Sequence, residues 1–250
     1  MASATAPRPA HSEKTPIFRF LAALLLPPMH LLARYVIHNP ERVPRQGAFV
    51  LAPNHFSEID PVVMGIAMWK VGRMPRYLAK ASLFRIPVVG WLLRRSGQVP
   101  VERAGVRGND PLSAARTIAH NGLAVVVYPE GTLTRDPDLW PMRGKTGAVR
   151  IALQEGIPII PAAHWGTQLV MPRYAKRISM FPRKTIHISF GEPVDLSAFE
   201  GRGLDSKTLS EATEVVMHAI TSLVEDLRGE TAPAVRWDPA KNQQTETGRF

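Results

Sequence analysis

The sequence predicts an α/β layered domain, built on a mixed, largely parallel sheet flanked by helices, with a membrane-interfacial helical segment ahead of it. Three observations carry this expectation. From about residue 45 onward, short runs rich in β-branched and aromatic residues recur, each closed by Pro, Gly or Asn, as strands are. Helical patterns lie between those runs, and strands alternating with helices build layered α/β sheets. Before them stands the most apolar stretch of the chain, "IFRFLAALLLPPMHLLARYVIH".

Taken in order, residues 1–15 are Ala-, Ser- and Pro-rich with scattered charge and are expected to be disordered. Residues 16–40 form the predicted membrane-associating segment. Between Arg19 and Arg34 lie 14 uncharged residues, about 21 Å of helix against about 30 Å of hydrocarbon. Pro27-Pro28 breaks the run. In its second half His30, Arg34 and His38 recur at i, i+4, i+8, which puts them on one helical face. A helix–break–helix lying in the membrane interface fits this pattern; a helical hairpin packed on the domain's own core is the alternative. No small-residue cleavage site follows the run, which argues against a signal peptide.

The folded domain is expected over 41–229, with strands at 49–52, 76–79, 98–101, 123–128, 157–163 and 185–190. Asp60-Pro61 reads as an N-cap followed by proline at the first helical position. Residues 111–120 and 146–155 fit helices, the second stopped by Gly156. A long amphipathic helix over 207–228 carries the stripe Leu209, Ala212, Val216, Ile220, Leu223, Leu227 and ends at Gly229. Residues 230–250 are polar and aperiodic, the pattern of a flexible tail. Residues 80–97, "KASLFRIPVVGWLLRRSG", form a second apolar-basic patch. Trp91 and Arg94-Arg95 suit lipid head groups, whereas Val88, Leu92 and Leu93 suit a core equally well.

Lys plus Arg total 31 against 21 acids, a net charge of +10 and a pI near 10.4. Such a surplus points to a polyanionic partner: nucleic acid, an anionic membrane surface, or phosphorylated substrates. There is no cysteine, which excludes disulfides, thiolate catalysis and Cys-based metal sites. No zinc pattern, helix-turn-helix or RNP-like aromatic strand is evident, so nucleic acid is not the expected partner. The histidines form no His-x-x-x-His pair beside a carboxylate set, so no metal is expected.

In α/β sheets ligands collect beyond the carboxyl ends of the strands, and three predicted strand ends carry polar sets. In the first, "NHFSEID", His55 ends a strand and Asp60 begins a helix. Five residues apart, the two can meet only across a turn. A carboxylate at one imidazole nitrogen leaves the other free to take a proton from an alcohol. The alternative is an ordinary cap beside a loop histidine. The second end is Glu102-Arg103 after "GQVPV". The third is "YPEGTLTR", where a glycine turn brings backbone N–H groups close to an anion. Thr132 adds a hydroxyl there, and Arg103 and Arg135 add forked cations suited to phosphate. Glu130 is out of place in such a nest, because a carboxylate repels phosphate.

Together these residues resemble the PlsC-like glycerophosphate/lysophosphatidate acyltransferases. Four blocks occur in the family's order between residues 54 and 164: "NHFSEID", "GQVPVER", "YPEGTLTR" and the proline-containing "IPIIPAAH". The alignable region runs from 45 to 195. The family writes Arg directly after Glu-Gly-Thr, where this chain has Leu133 and places Arg135 two residues later. The resemblance implies an O-acyltransferase of phospholipid synthesis with His55 as general base and Asp60 as its orienting partner. Arg103, Glu130, Gly131, Thr132 and Arg135 would hold the glycerophosphate, Pro161 would shape the pocket, and Lys80 and Lys145 would stand near phosphate. The implied donor is acyl-CoA or acyl-carrier protein and the implied acceptor lysophosphatidate, giving phosphatidate without a cofactor. The implied place is the cytoplasmic face of the cytoplasmic membrane, peripheral or monotopic. Two rivals are Ser57 as a covalent nucleophile, although no Gly-x-Ser-x-Gly elbow surrounds it, and a basic membrane-binding module without catalysis.

Overall fold

The computed structural model of the protein describes residues 13–101 and 111–245. The chain runs α1 (Pro16–Leu32), β1 (Ala33–His38), β2 (Phe49–Pro53), α2 (Asp60–Val71), β3 (Pro75–Lys80), α3 (Pro87–Arg95), β4 (Val99–Val101), α4 (Pro111–His120), β5 (Ala124–Val126), α5 (Gly147–Glu155), β6 (Ile159–Trp165), α6 (Thr167–Val170), β7 (Lys184–Phe190) and α7 (Ser206–Arg228). The strands form a 7-stranded sheet in the order β1-β7-β6-β2-β5-β3-β4. Every neighbouring pair is parallel except β6 and β7. This is the mixed, largely parallel α/β sheet that the alternating pattern predicts.

Strand β2 is buried on both faces, as central strands of parallel sheets are. Phe49 and Leu51 join α2 residues Val63, Met64 and Met68 in one core layer. Val50 and Ala52 turn the other way, onto α5 and α7 residues such as Ile151, Val216 and Ile220. The α7 stripe read from sequence makes this second layer through Leu209, Ala212, Val216 and Ile220, while its last two members join a third, smaller cluster, Leu223 within it and Leu227 at its margin. Asp205 caps α7 by accepting from the amides of Lys207 and Thr208 at 2.9 and 3.0 Å, and Gly229 ends it at φ +67°.

The N-terminal segment departs from expectation. Helix α1 runs unbroken through Pro27 and Pro28. Both proline rings are exposed, on the outer side with Leu24 and Leu31. The carbonyls of Ala23 and Leu24, which lose their helical donors, lie on exposed residues where solvent serves them. The second half of 16–40 is not helical: residues 33–38 are β1, paired in parallel with β7 from Ala33↔Lys184 to His38↔Ser189. The β-rich Tyr35-Val36-Ile37 takes the free edge of β7, and Tyr35 buries its ring with its hydroxyl on the Met29 carbonyl at 3.1 Å. His30, Arg34 and His38 therefore share no helical face, and His38 Nε2 meets His187 Nδ1 at 3.2 Å instead.

Both predicted disordered ends also contain fixed structure. Residues 1–12 lie outside the described residues, but Glu13 bridges the Arg73 guanidinium at 2.6 Å and the Met74 amide at 2.9 Å. Residues 230–245, expected as a flexible tail, lie back on the domain. Trp237 accepts from the Arg143 amide at 2.8 Å, the Ala232 amide donates to Glu225 at 2.8 Å, and Arg236 pairs with Glu214. The 80–97 patch divides between its two readings. Leu92 and Leu93 line an open apolar cavity between α1, α2 and α3, while Val88 and Trp91 face outward. Gly90 lets α3 lie against the preceding 3-10 turn, since a Cβ there would sit 2.1 Å from the Phe84 carbonyl oxygen. Among the described residues no helix is long and apolar enough to cross a membrane.

Candidate active site

Strands β2, β5, β3 and β4 run side by side in one direction, so the residues after their carboxyl ends gather along one edge. His55 follows β2, the 128–132 turn follows β5, and Lys80 closes β3. Lys80 is exposed, two strand spacings or roughly 10 Å from β2. Arg103, two positions after β4 in the sequence, lies outside the described residues.

The first strand end folds as a tight hook. Asp60 is the first residue of α2, but its side chain does not cap that helix; it reaches back. One oxygen, Oδ2, accepts from the Phe56 amide at 2.6 Å, the Ser57 amide at 2.8 Å and His55 Nδ1 at 2.9 Å. The imidazole and the carboxylate thus converge across the bend between β2 and α2. Asp60 is wholly buried. Burial pushes its carboxyl up, yet the His164 and His55 imidazoles and the donors on Oδ2 outweigh it and hold the group below the ordinary aspartate range. An ionised Asp60 requires the proton on His55 Nδ1, which leaves the Nε2 lone pair as the basic site. The His55 side chain is 15% exposed, so Nε2 remains within reach of a ligand.

Two aromatic groups that sequence reasoning did not single out complete the hook. Tyr128 stacks on the His55 ring, with centroids 4.2 Å apart and planes 26° apart. His164, at the end of "IPIIPAAH", is buried with Nε2 at 3.5 Å from Asp60 Oδ2 and 3.1 Å from the Asn54 carbonyl. Asn54 returns the contact: its Oδ1 accepts from the His164 amide at 2.8 Å and its Nδ2 donates to the His164 carbonyl at 3.1 Å. Burial pushes the His164 imidazole below the ordinary histidine range, against the pull of Asp60. A neutral His164 donates from Nε2 to the Asn54 carbonyl and adds no charge beside Asp60. The available signal was a histidine in an otherwise apolar strand.

Several residues expected at the ligand turn out to build the site from below. Glu130 is fully buried, and its oxygens accept from the His55 amide and the Met142 amide, each at 3.0 Å. Burial pushes its carboxyl up to about 8, against the pull of those amides and of the Thr134 hydroxyl. Glu130 therefore brackets the His55 backbone rather than facing a phosphate, which removes the conflict its charge posed. Pro161 sits within central strand β6, in register with Ala52, its ring against Gly191 beside Leu223 of α7. It packs the sheet and does not shape a pocket at His55. Arg135 and Thr132 are both buried. With Leu133 also buried, the turn is wound so that the arginine points inward rather than across an open anion site.

Gly131 and Lys145 are brought together. Gly131 has φ +71°, and a Cβ there would meet the Lys145 chain at 3.0 Å. The Lys145 amide is fixed on the Pro129 carbonyl at 2.7 Å. The Gly131 amide donates to the Tyr128 carbonyl at 3.0 Å, so the cation at this edge is the exposed Lys145, and the glycine's part is to leave room for its chain. Ser57 is buried, and its hydroxyl donates to the Met171 carbonyl at 2.6 Å. It braces the 171 segment and is not presented as a nucleophile.

Next to this hook lies an apolar cavity of about 550 Å³. It begins at Pro61 and Val62, immediately after Asp60, and extends along α2 past Gly65 and Trp69 between α1 and α3.

A histidine–aspartate pair at the strand ends of a mixed α/β sheet, with an apolar cavity alongside, is an arrangement that suits proton transfer beside an apolar group. A family model described as Acyltransferase matches residues 34–165, and the chain belongs to that family. A 1-acyl-sn-glycerol-3-phosphate acyltransferase of Bacillus subtilis is 29% identical over 83% of this chain and 96% of its own. The chloroplastic 1-acyl-sn-glycerol-3-phosphate acyltransferase BAT2 of Brassica napus is 30% identical over 64% of this chain. This chain spans less than half the length of BAT2 and of the chloroplastic LPAT1 of Arabidopsis thaliana, 46% and 33%. The crystal structure of the 1-acyl-sn-glycerophosphate acyltransferase PlsC from Thermotoga maritima shares the fold, with a TM-score of 0.63 and 23% identity over 86% of this chain and 81% of that one.

Proposed function

We propose that the protein transfers a fatty acyl group from acyl-CoA or acyl-carrier protein to the free hydroxyl of lysophosphatidate, giving phosphatidate. The observation that carries this reading is the His55 Nδ1–Asp60 Oδ2 contact at 2.9 Å, which leaves Nε2 as a base. The acceptor hydroxyl gives its proton to Nε2 as its oxygen attacks the thioester carbonyl. The tetrahedral intermediate collapses, the C–S bond breaks, and the departing thiolate takes the proton back from the imidazolium. Asp60 stabilises the charged ring between the two transfers. Lys145, whose chain packs over Gly131, is the described group that would receive the acceptor's phosphate, with Arg103 and Lys80 proposed to add charge from the neighbouring strand ends. The apolar cavity suits a fatty chain, because a lining of this composition disfavours polar ligands. Domain 41–229 with α1 and β1 would carry the activity, bound peripherally to the cytoplasmic side of the membrane.

Lack of cysteine makes the test clean, because a thiol reagent meets no background from the enzyme. Acyl-CoA is offered with lysophosphatidate, glycerol-3-phosphate, another lysophospholipid and a glycolipid, free thiol is followed, and the product is identified by mass. Thiol release with lysophosphatidate, lost in His55→Ala and Asp60→Asn, is expected. Release unaffected by both substitutions contradicts the assignment.

A further inference from the structure

We propose that the segment between α6 and β7, residues 171–183, is a second membrane-inserting element that seats the mouth of the active site on an anionic bilayer. This rests on the membrane-bound reading above and adds to it a contact separate from α1. The topology places the segment at the catalytic edge. Strand β7 is antiparallel to β6, with Trp165 opposite His187, so β7 starts at the end of the sheet where β2 delivers His55. The near half of the segment is tied to the site. Met171 accepts from Ser57, the Tyr174 amide donates to Glu58 at 3.2 Å, and Arg173 donates to the carbonyls of Thr134 and Asp136.

The far half presents apolar side chains to solvent. Ile178, Met180 and Phe181 are exposed, Phe181 at 79%. Lys176, Arg177 and Arg183 are exposed around them, and residues 171–183 contain no acid. Apolar tips ringed by cations suit the junction of acyl chains and anionic head groups. The surface is also continuous with α1. Arg183 donates to the Ala33 carbonyl at 3.3 Å, Lys184 is in register with Ala33, and Leu31, two residues earlier, is 64% exposed. α1 itself lies beside α3 across the apolar cavity, and the segment extends this surface to the His55 loop, which it bonds through Ser57 and Glu58. A soluble acceptor or donor would need no such rim; a lipid acceptor leaving a bilayer would.

The test uses the full chain with a single introduced thiol. Phe181→Cys, and separately Met180→Cys, are labelled with an environment-sensitive fluorophore and mixed with vesicles of phosphatidylcholine alone or in equal parts with phosphatidylglycerol. Leu24→Cys in α1 and Lys207→Cys at the exposed start of α7 carry the same label. A blue shift and several-fold rise at 180, 181 and 24 with the mixed vesicles, and none at 207, is expected. Replacing Lys176 and Arg177 with Gln should weaken binding to the mixed vesicles by roughly thirtyfold, about fivefold per cation removed. A shift at 24 without one at 180 or 181 overturns the inference and leaves membrane binding intact. No shift at any position overturns both. A shift at 181 produced by acyl-carrier protein and by neither vesicle overturns the inference by assigning the segment to a protein partner.

Discussion

Two carboxylates hydrogen-bond to His55, Asp60 at its ring and Glu130 at its amide, and are handled in opposite ways. Asp60 is surrounded by donors and imidazoles that hold it below the ordinary aspartate range, whereas burial pushes Glu130 up to about 8. The consequences for stability have opposite signs. The Asp60 contribution is present at neutral pH and is lost as pH falls through its lowered value. The folded state holds the Glu130 proton more tightly than the unfolded one, so that group costs stability as pH rises from about 4.5 to about 8. Glu130→Gln should therefore melt lower at acid pH, having lost one acceptor for the His55 or Met142 amide, yet show a shallower decline in Tm across that window. An unchanged slope in thermal scans would remove Glu130 as the source. Ser57→Ala loses the bond its hydroxyl donates to the Met171 carbonyl and the longer one it accepts from the Ile59 amide at 3.4 Å, together about 1–2 kcal/mol. Activity should stay within a few-fold of wild type at moderate temperature, and a loss as deep as that of His55→Ala would reinstate a covalent route.

At the scale of elements, α2 links the two halves of the proposed chemistry, with Asp60 at its first residue and the apolar cavity along its length. Gly65 lines that cavity, and a Cβ added there meets only the Tyr77 hydroxyl at 3.7 Å. Gly65→Leu should be accommodated with no loss of stability, since it removes a helix-interior glycine worth about 1 kcal/mol. Its branch would project into the cavity and shift acceptance toward shorter acyl chains. Equal rates across a series of acyl-CoA lengths would separate the cavity from the acyl chain. Most of strands β2 to β7 were legible in the sequence because they are β-branched runs bounded by turn residues, while β3, which has no β-branched residue, showed itself through Tyr77 after Pro75. β1 was not, because Ala33–His38 continues the apolar run without punctuation and its His30/Arg34/His38 spacing imitates a helix. The unbroken α1 was hidden because a proline pair stops a helix unless both rings face outward, which only the fold decides. The His55–Asp60 hook was legible because its parts are five residues apart. His164 and Tyr128 were not, since His164 reaches Asn54 across 110 positions of sequence, and only the adjacency of β2 with β5 and β6 brings them in. The 230–245 segment escaped notice because ion pairs and single backbone contacts, not periodicity, hold it down.

Over the whole molecule, the +10 charge and the exposed apolar side chains of α1 and α3 act over different distances. On the membrane-bound reading proposed above, charge draws the protein to anionic lipid across roughly a Debye length, about 10 Å at 0.1 M salt and 3 Å at 1 M. Apolar contacts with Phe20, Leu24, Val88 and Trp91, all at least half exposed, form only on arrival and are insensitive to screening. Sedimentation with vesicles containing phosphatidylglycerol should therefore fall steeply between low and high salt but level off above zero. Sedimentation with phosphatidylcholine alone should be weak and nearly independent of salt. His55→Ala should follow the wild-type curve on both, because its ring lies in the hook and not on the docking face. Binding to anionic vesicles that vanishes altogether at high salt would make the protein a purely electrostatic visitor. The exposed apolar faces of α1 and α3 would then need an occupant other than lipid.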